Sequence, residues 1–193
     1  LKKVGMSENR DMTLRQVLLQ NFSIAETEMY LGYLLNHEEI EFIKMTATEV
    51  LKNMPQTAFN CTKISAIWAA IIQDNSTIPV AVICGDLQFM DRKVFVCNGP
   101  LPDPELGNFE DLMWNGHCWL EFGGLIADAS FFRTIYFGDV PTQLRAKVIE
   151  KFGEGRGSLI GNSHLLKMYD LTYSPKYCLN NRQVDAIING IER

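Results

Sequence analysis

The sequence predicts an α+β domain in which helices, one of them carrying Cys61, pack on an antiparallel β-sheet. Three observations predict it. HEEIEFIKMTATEVLKNMP and CTKISAIWAAIIQDN carry apolar residues at helical spacing. TIPVAVICGDL and KVFVCN are short, β-prone runs. HCWLEF and LIADAS are two more such runs, separated only by Gly123-Gly124. Two adjacent glycines can both take positive φ, which is the signature of a two-residue hairpin.

Taken in order, residues 1–11 are expected to be a flexible arm or a cloning remnant, and 12–193 a single domain, as a length of 193 residues suggests. Residues 12–35 and 39–53 read as two amphipathic helices. In the second, Ile40, Ile43, Val50 and Leu51 fall near helical spacing, and Pro55 ends the run. After the loop QTAF, Asn60 is a good N-cap, because its side-chain oxygen can accept a backbone N–H from the next turn. Ile64, Ile67, Trp68 and Ile71 then make one apolar stripe, which DNST at 74–77 stops. Cys61 falls in the first turn of that helix, where free N–H groups and the positive dipole end favour thiolate over thiol. The competing role for a free cysteine is that of a small buried hydrophobe.

The Gly-Gly turn pairs Phe122 with Leu125, Leu120 with Ala127 and Trp119 with Asp128. Alternation puts Cys118, Leu120, Phe122, Leu125, Ala127 and Ala129 on an apolar face. His117, Trp119, Glu121, Asp128 and Ser130 share the other. His117 and Asp128 become diagonal neighbours, about 7–8 Å apart at the backbone, a gap two side chains bridge. The competing reading is an amphipathic hairpin with its polar face in water. A thiolate, an imidazole and a carboxylate that orients it are the parts of an activated cysteine nucleophile. Cys61, His117 and Asp128 are therefore the catalytic candidates. Gln56 and Asn60 are candidate oxyanion donors beside the Cys61 backbone N–H, and Trp119 is a candidate substrate contact or shield.

Beyond the hairpin, 97–111 reads as a turn-rich loop bordering a cleft or merely connecting strands. PTQLRAKVIEKF at 141–152 reads as a surface helix, 153–162 as a flexible turn, 164–174 as a returning strand, and 180–192 as a closing helix. His37, placed after a helix, and His164, placed in a loop, are given no catalytic part. Hydrophobic content of 47% and aromatic content of 10% suit a packed core rather than disorder. A net charge of −5 and the lack of a Lys/Arg run argue against nucleic-acid binding. The apolar runs are too short to span a bilayer, so no membrane partner is expected. No charged-then-apolar leader is seen, and five cysteines without close spacing point to reduced thiols and a cytoplasmic setting. No C-x-x-C pair or H-x-E…P-C-x-x-C pattern occurs, so neither a metal nor another cofactor is implied.

The order Cys61-SAIWAAI, TIPVAVICGDL, GHCWLEF, ADAS resembles the transglutaminase-like branch of the papain-like superfamily. Members typically carry a Cys on a helix, an IPA-x-x-V-x-G strand, an H-x-W-x-E strand and an Asp strand. The resemblance covers roughly residues 56–131. It implies a Cys-His-Asp mechanism through a thioester on a peptide or amide-containing substrate. The Gly- and Trp-rich segment common around the cysteine of animal transglutaminases is absent, which favours a bacterial-type peptidase or amidase over calcium-dependent crosslinking. The alternatives are an acyl or amine transferase, of transglutaminase or N-acetyltransferase type, and an inactive binding module of the same fold. The R-G-G-x-C segment of the arylamine N-acetyltransferases is replaced here by FNC at 59–61.

Overall fold

The computed structural model describes residues 5–101 and 114–190. Its elements run α1 (Gly5–Leu18), α2 (Ile24–Gly32), α3 (His37–Asn53), α4 (Cys61–Asn75), β1 (Ala81–Phe89), β2 (Arg92–Phe95), β3 (His117–Phe122) and β4 (Leu125–Asp128). There follow α5 (Phe131–Phe137), α6 (Thr142–Phe152), β5 (Leu159–Asn162), α7 (Ser163–Met168), β6 (Leu171–Cys178) and α8 (Asn181–Asn189). The fold is α+β, with helices on an antiparallel six-stranded sheet.

β1 is the central strand. β6 pairs along one of its edges, while β3 and then β2 pair end to end along the other. β4 and β5 extend the sheet beyond β3. The β3–β4 hairpin has the register that the Gly-Gly turn predicts, with Leu120 opposite Ala127 and Phe122 opposite Leu125. Gly123 and Gly124 take φ of 57° and 98°, conformations in which a Cβ is strained.

Side-chain alternation divides the core in two. Val82, Cys84, Cys118, Leu120, Phe122 and Ala127 meet α3, α4 and α8 through Ile43, Ile64, Trp68, Ile72 and Ile187. Ala81, Ile83, Trp119 and Ile126 meet Leu14, Leu18, Phe131, Phe132 and Val148 on the opposite face. Every residue of β3 is consequently buried, including Glu121, and the hairpin's polar face is packed rather than washed by water. A sheet covered on both faces also explains why β1 is nearly all apolar.

Several sequence expectations are corrected. Residues 12–35 are not one helix: α1 begins at Gly5, and Ser23 starts a new helix through a capping box with Glu26. The segment expected to be an arm is thus helical from residue 5, and Arg10 bonds Glu121 and the Tyr173 carbonyl. His37 opens α3 behind the N-cap Asn36, and His164 lies in α7. Residues 164–174 split into α7 and the start of β6, because the Asn162 side chain caps a short helix first. The 153–162 turn ends in strand β5, which pairs with β4. The expected 180–192 helix is α8, bounded by an Asn180–Gln183 capping box. Most of the 97–111 loop lies outside the described residues. Among those described, no helix is long and apolar enough to cross a membrane.

Gly85 sets how closely β1 and β6 approach beside the hairpin. A Cβ there would stand 2.0 Å from the Ser174 carbonyl oxygen and 2.8 Å from the Trp119 ring. Gly85→Ala is expected to destabilise the fold by roughly 1–3 kcal/mol, toward the upper end because the obstacle is backbone. Urea unfolding measures this; a midpoint unchanged from the parent protein would show that β6 shifts freely.

Candidate active site

Asp128 ends β4, and its carboxylate organises the turn that follows. Oδ1 accepts the Ser130 N–H at 2.8 Å, the Ser130 hydroxyl at 3.0 Å and the Phe131 N–H at 2.9 Å. These are the donors that open α5, whose N-cap Ser130 makes no side-chain cap of its own. Oδ2 lies 2.6 Å from His117 Nε2 and accepts the Tyr173 hydroxyl at 2.8 Å. The carboxylate and the imidazole are both fully buried. The His117 ring is held flat by Phe95, stacked at 4.5 Å with an interplanar angle of 7°, and backed by Trp119 and Tyr173.

With Nε2 committed to Asp128, Nδ1 is the ring atom left over, and it is buried without a hydrogen bond. Cys61 is the first residue of α4 and comes to the end of β3 beside Cys118 and His117. Its sulfur is close enough to the ring for each group to shift the other's titration. The thiol is held well below the usual range. The neighbouring Cys118 thiol is the largest influence, burial opposes it, and the nearby His117 with its charge reinforces it. Burial by itself would discharge His117, but the charge and hydrogen bond of Asp128, then the nearby Cys61, raise it to about 10. Burial also works against a charged Asp128, yet the imidazolium and the hydrogen bonds hold its carboxyl below the ordinary value. The three shifts agree: thiolate, imidazolium and carboxylate favour one another.

Cys61 borders a cavity of about 360 Å³. Phe59, Phe95 and Trp114 supply aromatic wall, and Thr62, Asn98, Asn115 and Thr134 supply polar groups. Among the described residues, none of those that line it is charged. Phe59 has φ of 62°, a left-handed conformation that a bulky side chain rarely adopts, and it is 60% exposed at the cavity. Such backbone strain is held where surrounding structure over-determines it. Here Ala58 abuts Gly138, and the Phe59 N–H meets the Thr134 hydroxyl at 3.5 Å.

The structure therefore joins His117 to Asp128 and brings Cys61 near enough to His117 for the two to shift each other's titration, while the remaining candidates take other places. Asn60 stands at the N-cap of α4 but does not cap it, because its side-chain amide donates to Thr57 instead. α4 thus starts without a side-chain cap, and its first two residues, Cys61 and Thr62, border the cavity. Gln56 is exposed, and neither it nor Asn60 lines the cavity. Trp119 is fully buried, donates to Glu121 at 2.8 Å and packs behind His117, so it is no substrate contact. Tyr173 and Phe95, which hold Asp128 and His117, were not picked out from the sequence; both reach the site through strand pairing distant in the chain. Ser130 had a local sign, since Asp-x-Ser favours a side-chain-to-backbone turn. Among the described residues, no group of three His, Cys, Asp or Glu side chains is arranged to hold a metal ion.

Comparison with models of protein families, with curated proteins and with solved structures finds no match to this chain.

The electrostatics predict the pH dependence of Cys61 alkylation. A depressed thiol and an imidazole raised to about 10 keep the ion pair intact from acid-side pH up to about that value. Iodoacetamide should label Cys61 at pH 6, where an ordinary thiol is almost wholly protonated. Asp128→Asn removes the charge that holds the proton on His117, so the labelling rate at pH 6 should fall by roughly tenfold for each unit the thiol pKa rises. An unchanged rate profile in Asp128→Asn would show that Asp128 does not govern the thiol.

Proposed function

We propose that this protein is a thiol hydrolase of the transglutaminase-like type, cleaving a carboxamide or peptide bond through a thioester on Cys61. One observation carries the reading: a buried His117–Asp128 pair at 2.6 Å adjoins a cysteine at an uncapped helix N-terminus that opens on a cavity. His117 takes the thiol proton and holds it as an ion pair. The Cys61 sulfur attacks the substrate carbonyl carbon, and the oxyanion forms beside the Cys61 and Thr62 N–H groups. The tetrahedral intermediate collapses as His117 returns its proton to the leaving amine. Water, deprotonated by His117, then resolves the thioester. Asp128 keeps Nδ1 of His117 turned toward the sulfur by occupying Nε2.

The aromatic rings of Phe59, Phe95 and Trp114 and the neutral amides of Asn98 and Asn115 in the wall support a neutral acyl donor, such as a glutamine-type amide or an apolar peptide segment. All five cysteines are free thiols, which suits work in a reducing compartment such as the cytoplasm.

A panel of peptides, primary amides and acyl esters provides the assay. Cys61→Ala should abolish turnover. His117→Ala should cost roughly 10²–10⁴-fold, the usual worth of a general base. Asp128→Asn should cost less than His117→Ala, since it spoils orientation and charge support only. A robust activity surviving Cys61→Ala would exclude the thiol mechanism. Labelled primary amine added during turnover distinguishes the fate of the thioester: hydrolysed product should dominate with or without calcium, and efficient amine incorporation would make the enzyme a transferase.

A further inference from the structure

Cys61 is the outermost of three sulfurs that run inward from the cavity. Cys118, on the β3 strand that α4 packs against, lies next to it, near enough for the two thiols to shift each other's titration. Behind Cys118 is Cys84. The two are directly opposed across the β1–β3 ladder, and their sulfurs are 3.1 Å apart. Directly opposed residues of an antiparallel pair stand about 4.5–5.5 Å apart at Cα, within the range a disulfide spans. Cys84 and Cys118 are fully buried, whereas Cys61 is 8% exposed and borders the cavity. A small oxidant entering from solvent therefore meets Cys61 first. Cys97 and Cys178, also buried, direct their thiols to the carbonyls of Gly99 and Leu179.

We propose that Cys61, Cys118 and Cys84 form a thiol relay that takes oxidation away from the cavity and stores it as a Cys84–Cys118 disulfide in the core. The inference rests on the reading of Cys61 as an activated thiolate. Its oxidant is a hydroperoxide. The Cys61 thiolate attacks the peroxide oxygen, the O–O bond breaks, and the His117 proton passes to the departing alkoxide or hydroxide. Cys61 becomes a sulfenic acid, and the peroxide is reduced to an alcohol or water. The Cys118 thiol then displaces the hydroxyl as water, forming a Cys61–Cys118 disulfide. Finally the Cys84 sulfur attacks that of Cys118. The Cys61–Cys118 bond breaks, Cys61 leaves as thiolate, and the proton from Cys84 ends on His117. One peroxide and two thiols become one disulfide, one alcohol (or water) and one water.

The last step runs toward Cys84 for a physical reason. Thiol–disulfide exchange favours release of the sulfur that is most stable as thiolate. Cys61 is well suited to leave as thiolate, because it stands at the α4 N-terminus beside His117. The relay would return the nucleophile intact instead of letting it advance to irreversible sulfinic acid.

The test treats the reduced full chain with two equivalents of hydrogen peroxide, enough to carry an unprotected thiol to sulfinic acid, blocks free thiols with N-ethylmaleimide, and maps peptides without reduction. The parent protein should give a Cys84–Cys118 linkage with Cys61 recovered as a blocked thiol. Cys84→Ala should stop at a Cys61–Cys118 linkage, and Cys118→Ala should leave Cys61 as sulfinic acid. In the parent protein, sulfinic Cys61 without any linkage, a Cys61–Cys118 linkage that persists, or a linkage through Cys97 or Cys178 would each overturn the relay. The parent measurement decides even if a variant folds poorly. Iodoacetamide labelling of the same reduced sample separates the two ideas. Preferential Cys61 labelling without a linkage rejects the relay alone, whereas no preference for Cys61 rejects the activated thiolate beneath it.

Discussion

The buried pair of His117 and Asp128 is the constraint around which the rest of the structure is arranged. Taking a carboxylate out of water costs several kcal/mol unless its oxygens are filled. Here the oxygens of Asp128 receive two backbone N–H groups, two hydroxyls and the imidazole. Meeting that demand fixes three things together. The chain must turn at Ser130 into α5, β6 must bring Tyr173 to the same oxygen, and β3 must hold the His117 ring against it. Loss of either charged partner would leave the other buried alone, so the pair determines local order as well as chemistry.

A second polar knot secures the other end of β3. Glu121 takes the Trp119 indole N–H and the Arg10 guanidinium, although burial still raises its carboxyl above the ordinary value. This pair draws α1 over the sheet face that carries His117 and Asp128. The nucleophile's loop is fixed by a third device. Arg133 of α5 donates to the carbonyls of Leu51, Met54 and Pro55, satisfying the last turn of α3 just before the chain runs on to Cys61. One short helix thus begins on the carboxylate of Asp128 and clamps the approach to the cysteine. The strained Phe59 backbone stands between those two fixtures.

The cysteine distribution follows from the same layering. Cys118 was expected on the core face because it alternates with His117, and it lies there. That face, however, is where α4 packs, so Cys118 is beside the Cys61 sulfur while His117 reaches it from the end of the strand. Adjacent residues of one strand therefore both influence the same thiol. Alternation along β3 predicted the opposed faces but not that both converge on α4's first residue.

Local chemistry in the sequence determined the Gly123-Gly124 hairpin, its register, the common face of His117 and Asp128, and the start of a helix at Cys61. Each depends on steric or hydrogen-bonding preferences that act within a few residues. The capping boxes at Ser23, Asn36 and Asn180 were equally local, and the first would have divided residues 12–35 correctly. Tertiary structure alone decided that the polar face of the hairpin is buried, because α1 and Tyr173 of β6, which help to cover it, lie far away in the chain. It also decided that Trp119 packs behind His117, that the Asn60 side chain turns to Thr57, that Tyr173 and Phe95 complete the site, and that Cys84 and Cys118 touch. Such contacts depend on how whole layers stack, and no periodicity within a single segment encodes that.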